Sequence, residues 1–183
     1  MRIQLLLLSF LFPGAVSAAT FEMPLPEFDL VGAIHEVEAR HEDTLLTIAR
    51  RYDIGQEQIV RANPEVDRWL PGEGTRVIIP TRYILPAAPR EGLVLNVPEM
   101  RLYYYPKPKP GETPVVKTFP VGIGRQDWAT PLGMTKILNK IKDPTWTPPE
   151  SIRKEHLAKG DPLPAVVPAG PDNPLGQYAM RLA

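Results

Sequence analysis

Cysteine is absent from all 183 residues. That rules out a disulfide framework, a thiolate nucleophile within this stretch, thiolate metal ligation and lipid attachment to an N-terminal cysteine. A charge excess is missing too, with 21 Lys and Arg against 21 Asp and Glu. Such a balance predicts neither nucleic-acid binding nor a polybasic membrane anchor. No long apolar run follows the first dozen residues, so no stop-transfer span is expected. Only three histidines occur, His35, His41 and His156. They lack H-x-x-x-H or H-E-x-x-H spacing, which predicts no metal and no cofactor site. Ser151 lacks a G-x-S-x-G context. Gly122-Ile123-Gly124 lacks the third glycine and the following helix of a phosphate loop, and reads as a turn at a strand end.

The chain does begin with Met1-Arg2, an apolar run over residues 3–12, Pro13-Gly14 and a string of small residues ending in Val16-Ser17-Ala18. A membrane-spanning helix needs about 20 apolar residues, and roughly ten precede the Pro-Gly break. Residues 1–19 are therefore predicted to be a secretory signal peptide, with the mature chain starting near Ala19 or Thr20 and the protein exported and soluble. Loss of Arg2 leaves 20 basic residues against 21 acidic ones. The roughly 165 remaining residues suit one domain or two small ones. Proline is abundant, 23 of 183, against a background of about 5%. Strand-like apolar runs between the prolines point to stiff loops on a β-rich scaffold rather than disorder.

A first folded unit is predicted over residues 34–80. Residues 34–39 alternate apolar and polar, the period of a strand with one buried face. Asp43 and Thr44 offer capping oxygens ahead of Leu45, Ile48 and Ala49, an apolar helix stripe, and Gly55 would end either that helix or the turn after Tyr52-Asp53. A second helix over residues 57–62 should stop at Asn63-Pro64, since a residue before proline is pushed out of the helical region. Gly72 and Gly74 turn the chain into a strand over 75–79, closed by Pro80. Trp69 could stack on a sugar face, but packing on the core or a neighbouring domain is the favoured expectation.

This strand-helix-helix-strand order carries Glu42-Asp43-Thr44-Leu45, Ile48-Ala49, Ile54, Ala62-Asn63-Pro64 and Gly74 with Val77-Ile78-Ile79-Pro80, and it resembles a LysM module. Glu42 departs from the family's usual glycine. The resemblance implies a shallow groove for N-acetylglucosamine-containing chains, with Asp43, Thr44, Leu45, Leu46, Asn63 and Pro64 as candidate glycan contacts. The same residues also have plain structural readings as caps, helix terminators and core.

Residues 81–90 read as a short proline-stiffened linker. Strands are predicted over 92–97, 100–105 and 115–121, the first two as an antiparallel hairpin. Residues 144–149 look like a rigid loop. Trp128 and Trp146 are candidates for a groove lining, with loop or core packing as the plainer reading.

Asn96 with Arg101-Leu102-Tyr103, the run over residues 119–125, Thr130-Pro131-Leu132-Gly133, the loop over 144–149 and the run over 171–176 together resemble consecutive landmarks of the bacterial L,D-transpeptidase domain. The resemblance implies a mainly β fold with an α+β module: a LysM-like βααβ unit, then an incomplete β-sandwich or barrel-like domain over 91–183. It also implies acyl transfer by a cysteine thiolate, which attacks the bond after a D-centre of a peptidoglycan stem peptide and releases D-alanine. An amine of a second stem, or of an outer-membrane lipoprotein, then resolves the thioester. A histidine base and oxyanion donors are required. The family carries them in I-H-G-T and S-H-G-C segments that would follow Ala183, so no catalytic residue is assigned here and the chain is expected to be inactive alone. The alternative expectation is a non-catalytic peptidoglycan-binding LysM protein. Both place it in the periplasm. Without the missing strands, apolar edges along residues 93–97 and 178–182 are expected to lie open, making the C-terminal half marginal.

Overall fold

The computed structural model describes residues 19–124 and 130–183. Trp128 and nearly all of the signal-peptide segment lie outside them. The fold is mainly β, and the chain divides into two units, before and after the Thr130-Pro131 bond.

The first unit contains β1 (Ala19–Glu22), β2 (Leu30–Glu38), α1 (Leu45–Arg51), α2 (Gln56–Ala62), β3 (Arg76–Ile84), β4 (Gly92–Asn96), β5 (Arg101–Tyr105) and β6 (Val115–Pro120). β2 and β3 pair antiparallel over their full lengths, from Leu30 opposite Ile84 to Glu38 opposite Arg76. The two helices lie between them in sequence, which is the expected βααβ order. β4, β5 and β6 form the expected meander, and β1 adds to its far side, giving the order β1-β6-β5-β4.

Two local expectations are corrected, and one is decided between its alternatives. Pro80 does not close its strand, because β3 runs on to Ile84. A two-stranded sheet leaves each strand one free edge, where a missing N–H costs no ladder bond. The segment read as a linker from residue 81 therefore starts as strand, and Leu85 beyond it is buried with its N–H donated to the Asp29 carbonyl at 2.7 Å. For Gly55 the second alternative holds: α1 ends at Arg51, the Tyr52-Asp53 turn follows with Asp53 left-handed at φ +56°, and Gly55 is the N-cap of α2. Trp69 is 62% exposed and not packed in a core.

Two apolar clusters result. The first, Ala39, Leu45, Ile48, Ala49, Ile54, Ile59, Val77 and Ile79, fills the βααβ unit. The second gathers Val31, Tyr83, Leu85, Tyr103, Tyr105 and Val116, with Phe21, Met23 and Val94 packed against it. Odd-numbered residues of β3 and its extension point to one face. Val77 and Ile79 serve the first cluster from that face, and Tyr83 and Leu85 the second. Gly32 in β2 makes the close strand approach possible: its φ is +76°, and a Cβ there would sit 2.0 Å from the Thr81 carbonyl oxygen.

The second unit holds β7 (Ile137–Lys142), α3 (Glu150–Ala158) and β8 (Tyr178–Leu182). The strand expected over residues 178–182 is not left unpaired, because β7 and β8 form an antiparallel ribbon. Its faces are open all the same, with Leu138, Ile141, Tyr178, Met180 and Leu182 exposed. No residue of α3 is buried.

Candidate functional site

The loop ahead of α1 is built by two separate devices. Thr44 is the N-cap: its hydroxyl accepts the Thr47 N–H at 3.0 Å, and the Thr47 hydroxyl accepts the Thr44 N–H at 2.8 Å, a reciprocal capping box. Asp43 is not the cap. Its buried carboxylate accepts from the Arg40 N–H at 3.0 Å and from both Arg51 guanidinium nitrogens, at 3.1 and 2.5 Å. The hydrogen bond from Arg51 holds the Asp43 carboxyl below the ordinary carboxylate range, against the opposing effect of burial.

Leu45 points into the first cluster, while its backbone N–H donates to the Arg68 carbonyl at 2.9 Å. That bond ties the loop before α1 to the segment after α2, the two walls that the candidate groove requires. Leu46 is half-buried and Pro64 exposed. Asn63 is committed inward: its amide N–H groups donate to the Ile59 and Ile78 carbonyls, both at 2.9 Å, and its amide oxygen accepts the Ile78 N–H at 2.7 Å. Asp43, Leu45 and Asn63 are thus buried, whereas Thr44, Leu46 and Pro64 retain accessible surface. Trp69 and Leu70, directly after Arg68, stand exposed on a turn in which both N–H groups donate to one Asp67 oxygen, at 2.8 and 2.9 Å. Those two donors lower the Asp67 carboxyl pKa. The exposed indole goes against the core-packing reading of Trp69 and leaves the alternative, a ring free to stack on a sugar, open.

Among the transpeptidase-like landmarks, Asn96 and Glu99 close the β4–β5 turn. The Asn96 amide donates to Glu99 Oε2 at 3.0 Å, and the Tyr103 hydroxyl donates to the same oxygen at 2.7 Å. Burial, reinforced by this hydrogen bond, raises the Tyr103 pKa far above the ordinary phenol range. Arg101 is 1% exposed. Its guanidinium lies over the Tyr83 ring at 4.1 Å and donates to the Thr118 hydroxyl, to Gln58 Oε1 at 3.1 Å and to the Asp53 carbonyl at 3.3 Å. A single side chain thereby joins the helical part of the βααβ unit to the four-stranded sheet. The sequence marked Arg101 as a landmark without showing this role, since its partners lie 43 and 48 residues away in sequence.

In the second unit, Trp146 is half-buried and exchanges backbone hydrogen bonds with Val167 at 2.9 and 2.8 Å. Asn173, buried, donates its amide to the Pro144 carbonyl at 2.8 Å and the Pro168 carbonyl at 3.0 Å, and accepts the Leu175 N–H at 2.9 Å. Asn173 thus clamps the start of the proline-rich loop to residues 167–168.

Among the described residues no cluster of His, Asp and Glu could hold a metal ion, and no helix is long and apolar enough to cross a membrane. His156 faces Asp161 at 3.1 Å on the surface, and His35 stacks edge-on against Tyr52 at 5.6 Å. With no cysteine in the sequence, neither histidine has a thiol partner among these residues.

Together these features define a β-rich protein in which a βααβ unit with its own core is fused to a meander carrying the ordered Asn96, Arg101 and Tyr103 landmarks. Residues 90–180 match the YkuD family, the L,D-transpeptidase catalytic domain. The probable L,D-transpeptidase YcfS of Escherichia coli K12 is 44% identical over 184 residues, covering 95% of this chain and 56% of the relative. For YbiS of the same strain the figures are 44%, 93% and 56%, and for ErfK/SrfK they are 42%, 90% and 53%. The chain belongs to the L,D-transpeptidase family, and it spans a little over half the length of these curated relatives. Among solved structures, a probable carnitine operon oxidoreductase from Brucella melitensis superposes with a TM-score of 0.39 and 23% identity, over 49% of this chain and 52% of that one.

Proposed function

We propose that this chain is the wall-recognition module and the leading part of the catalytic domain of an exported enzyme that forms bonds to peptidoglycan stem peptides by cysteine acyl transfer. The family match over residues 90–180, directly after the βααβ unit, is the observation that carries the reading. In this reading residues 1–19 are a leader that directs the protein to the periplasm, and residues 34–80 are a LysM-like module that grips glycan strands. The thiolate and its histidine base belong to the part of the relatives' length that these 183 residues do not span. The chemistry of the residues present is positional. The Leu45–Arg68 backbone bond and the Asn63 clamp hold the groove walls, leaving Thr44, Leu46 and Pro64 to meet the polymer. Arg101 fixes that module to the sheet, so a held strand keeps one orientation relative to the sheet. An outer-membrane lipoprotein amine is the alternative acceptor to a second stem.

The test is retention of the protein on insoluble peptidoglycan at low salt, followed by a transfer assay on purified stem peptides using the polypeptide encoded by the whole reading frame. Retention together with loss of terminal D-alanine and appearance of a cross-linked product is the expected result. Retention with no transfer by that polypeptide would favour the second reading, a non-catalytic wall-binding protein. A βααβ unit with its own apolar core is the observation that favours that second reading.

A further inference from the structure

The residue at which the described chain begins is not a loose end. Ala19 starts β1, which pairs with β6 in the register Ala19 opposite Thr118 and Phe21 opposite Val116. Phe21 stands edge-on to Tyr83 with ring centres 5.9 Å apart, and the Met23 N–H donates to the Pro114 carbonyl at 2.9 Å. Both side chains pack on the second cluster. The first residues after the predicted leader are therefore part of the fold. Ala19 is half-buried, and its nitrogen lies 3.1 Å from Oδ2 of Asp53. That carboxylate is presented by a turn whose backbone is itself fixed. Asp53 is left-handed at φ +56°, its N–H donates to the Arg50 carbonyl at 3.4 Å, and its carbonyl accepts from buried Arg101.

We propose that Asp53 is the receptor for a new N-terminus: a leader peptidase hydrolyses the Ala18–Ala19 bond, and the released α-ammonium of Ala19 forms an ion pair with the Asp53 carboxylate that secures β1 on β6. Water adds across the peptide bond. Ala18 leaves with the leader as a carboxylate, and the Ala19 nitrogen takes up a proton. Before cleavage that nitrogen is a neutral amide with one N–H; afterwards it is an ammonium with three donors and a full charge. Charge-assisted hydrogen bonds are roughly twice as strong as neutral ones. An α-amino group, with an ordinary pKa of about 7.7–8.0, is mostly charged at neutral pH. The small residues Val16-Ser17-Ala18 supply the cleavage motif. Export and strand docking are thereby coupled, since the edge strand gains its full tether only once the leader is gone. The inference rests on the secretory-leader part of the proposed function and is independent of the transpeptidase chemistry.

The test has two arms. The N-terminal sequence of the protein recovered after export should begin at Ala19. A first residue of Thr20 or beyond overturns the proposal, and retention of residues 1–18 overturns the leader reading with it. In the second arm, the mature protein is released from a cleavable fusion with either Ala19 or Ala18 as its first residue, each with and without Asp53→Asn. Asparagine tolerates the left-handed backbone as well as aspartate does, so all four proteins should fold. The Ala19-first protein is expected to melt ~2–4 °C above the Ala18-first protein, and the gap should close in the D53N pair. Equal midpoints with Asp53 present, or a gap that survives D53N, would overturn the ion pair while leaving a correct cleavage assignment in place.

Discussion

The two units are built from similar stretches of alternating apolar residues and reach opposite ends. Every buried hydrophobic residue among those described lies between Val31 and Val116. In residues 131–183 only Pro144, Pro148 and Asn173 are buried, while Leu138, Ile141, Tyr178, Met180 and Leu182 stay open on a two-stranded ribbon. A sheet face becomes a core only when a second layer covers it. The βααβ unit brings its own cover in α1 and α2, and the four-stranded sheet is covered by the ends of β2 and β3. The ribbon of β7 and β8 has none among the described residues, and an isolated two-stranded ribbon is marginal in water. What order the second unit has comes from backbone bonds and one asparagine clamp.

The sharpest way to break the first unit is Gly32→Ala. A Cβ at that position meets the Thr81 carbonyl oxygen at 2.0 Å and the Phe21 ring at 2.9 Å, on a backbone at φ +76°. Backbone strain and overpacking each cost about 1–3 kcal/mol, so a combined loss of roughly 3 kcal/mol or more is expected. Urea unfolding followed by Trp69 fluorescence should show a large fall in midpoint. An unchanged midpoint would mean that β2 and β3 separate at no cost, contrary to the close pairing seen here.

Arg101 comes next in size. Arg101→Ala removes the cation from the Tyr83 ring and strands Gln58 Oε1 and the Asp53 carbonyl. A buried group left unsatisfied costs about 1–3 kcal/mol, less where it is half-buried as these two are, and the lost packing of buried Arg101 adds to this. Because Arg101 joins the helices to the sheet, its loss should also split one unfolding transition into two, read as non-coincident curves by helix-sensitive and tyrosine-sensitive signals. Coincident curves would place the coupling of the two clusters in β3 alone.

How much of this was readable beforehand follows from the range of the forces involved. The Thr44 cap, the two helices, the strands flanking them and the β4–β5 hairpin rest on neighbours within a few residues, and local pattern located them. Asp43 looked equally like a cap because both caps and buried carboxylates favour that residue type, and Arg51, its true partner, is eight positions on. β1 was too short to show alternation, and β3 was cut at Pro80 because the rule against proline in strands assumes a partner on both sides. For Trp69, general preference favours packing over an exposed stacking role, and the Asp67 turn that holds the residue outward is not legible in the sequence. The sequence marks Asn63 as a helix stop and candidate glycan contact and Asn173 only as part of a landmark run, whereas both serve as amide clamps whose partners include other segments.

Those two asparagines give the next contrast. Asn63→Ala removes three bonds at the edge of a packed core and should cost about 1–3 kcal/mol of global stability. Asn173→Ala removes comparable bonds where no apolar core lies beneath, so its effect should be local: faster protease cleavage near residues 144–149 and 168–175 with little change in the midpoint of the first unit. Equal effects of the two substitutions on that midpoint would erase the distinction between the units.

Titration separates the units at both ends of the pH scale. Asp43 has its folded pKa below the unfolded value, so its contribution is present above the usual carboxylate pKa and is lost as pH falls through the lower folded one. Tyr103 has its folded pKa raised, so the neutral phenol is held in the fold. Its contribution is intact below pH ~10 and is lost as pH rises beyond it. Asp43→Asn should lower stability at neutral pH and flatten the acid limb, and Tyr103→Phe should flatten the alkaline limb. Both effects belong in the first unit's transition, and a shift confined to signals from Trp146 would contradict them.

The smallest expected effect lies in α3, whose Glu150–Lys154 pair is 2.7 Å long and whose side chains are largely exposed. Exposed pairs at this spacing contribute about 0.3–0.5 kcal/mol, less than the scatter of most stability measurements. In a helix docked on a core such a loss disappears into the packing. A nine-residue helix with no buried residue has no packing to absorb it, and helices of that length are marginal on their own. Lys154→Ala, although alanine is the better helix former, should therefore lower far-ultraviolet helical signal in a salt-dependent way, while leaving the first unit's midpoint unchanged. If the helical signal is insensitive to both salt and Lys154→Ala, then α3 is held by something other than its own surface, and the contrast between a cored unit and an uncovered one has to be redrawn at that helix.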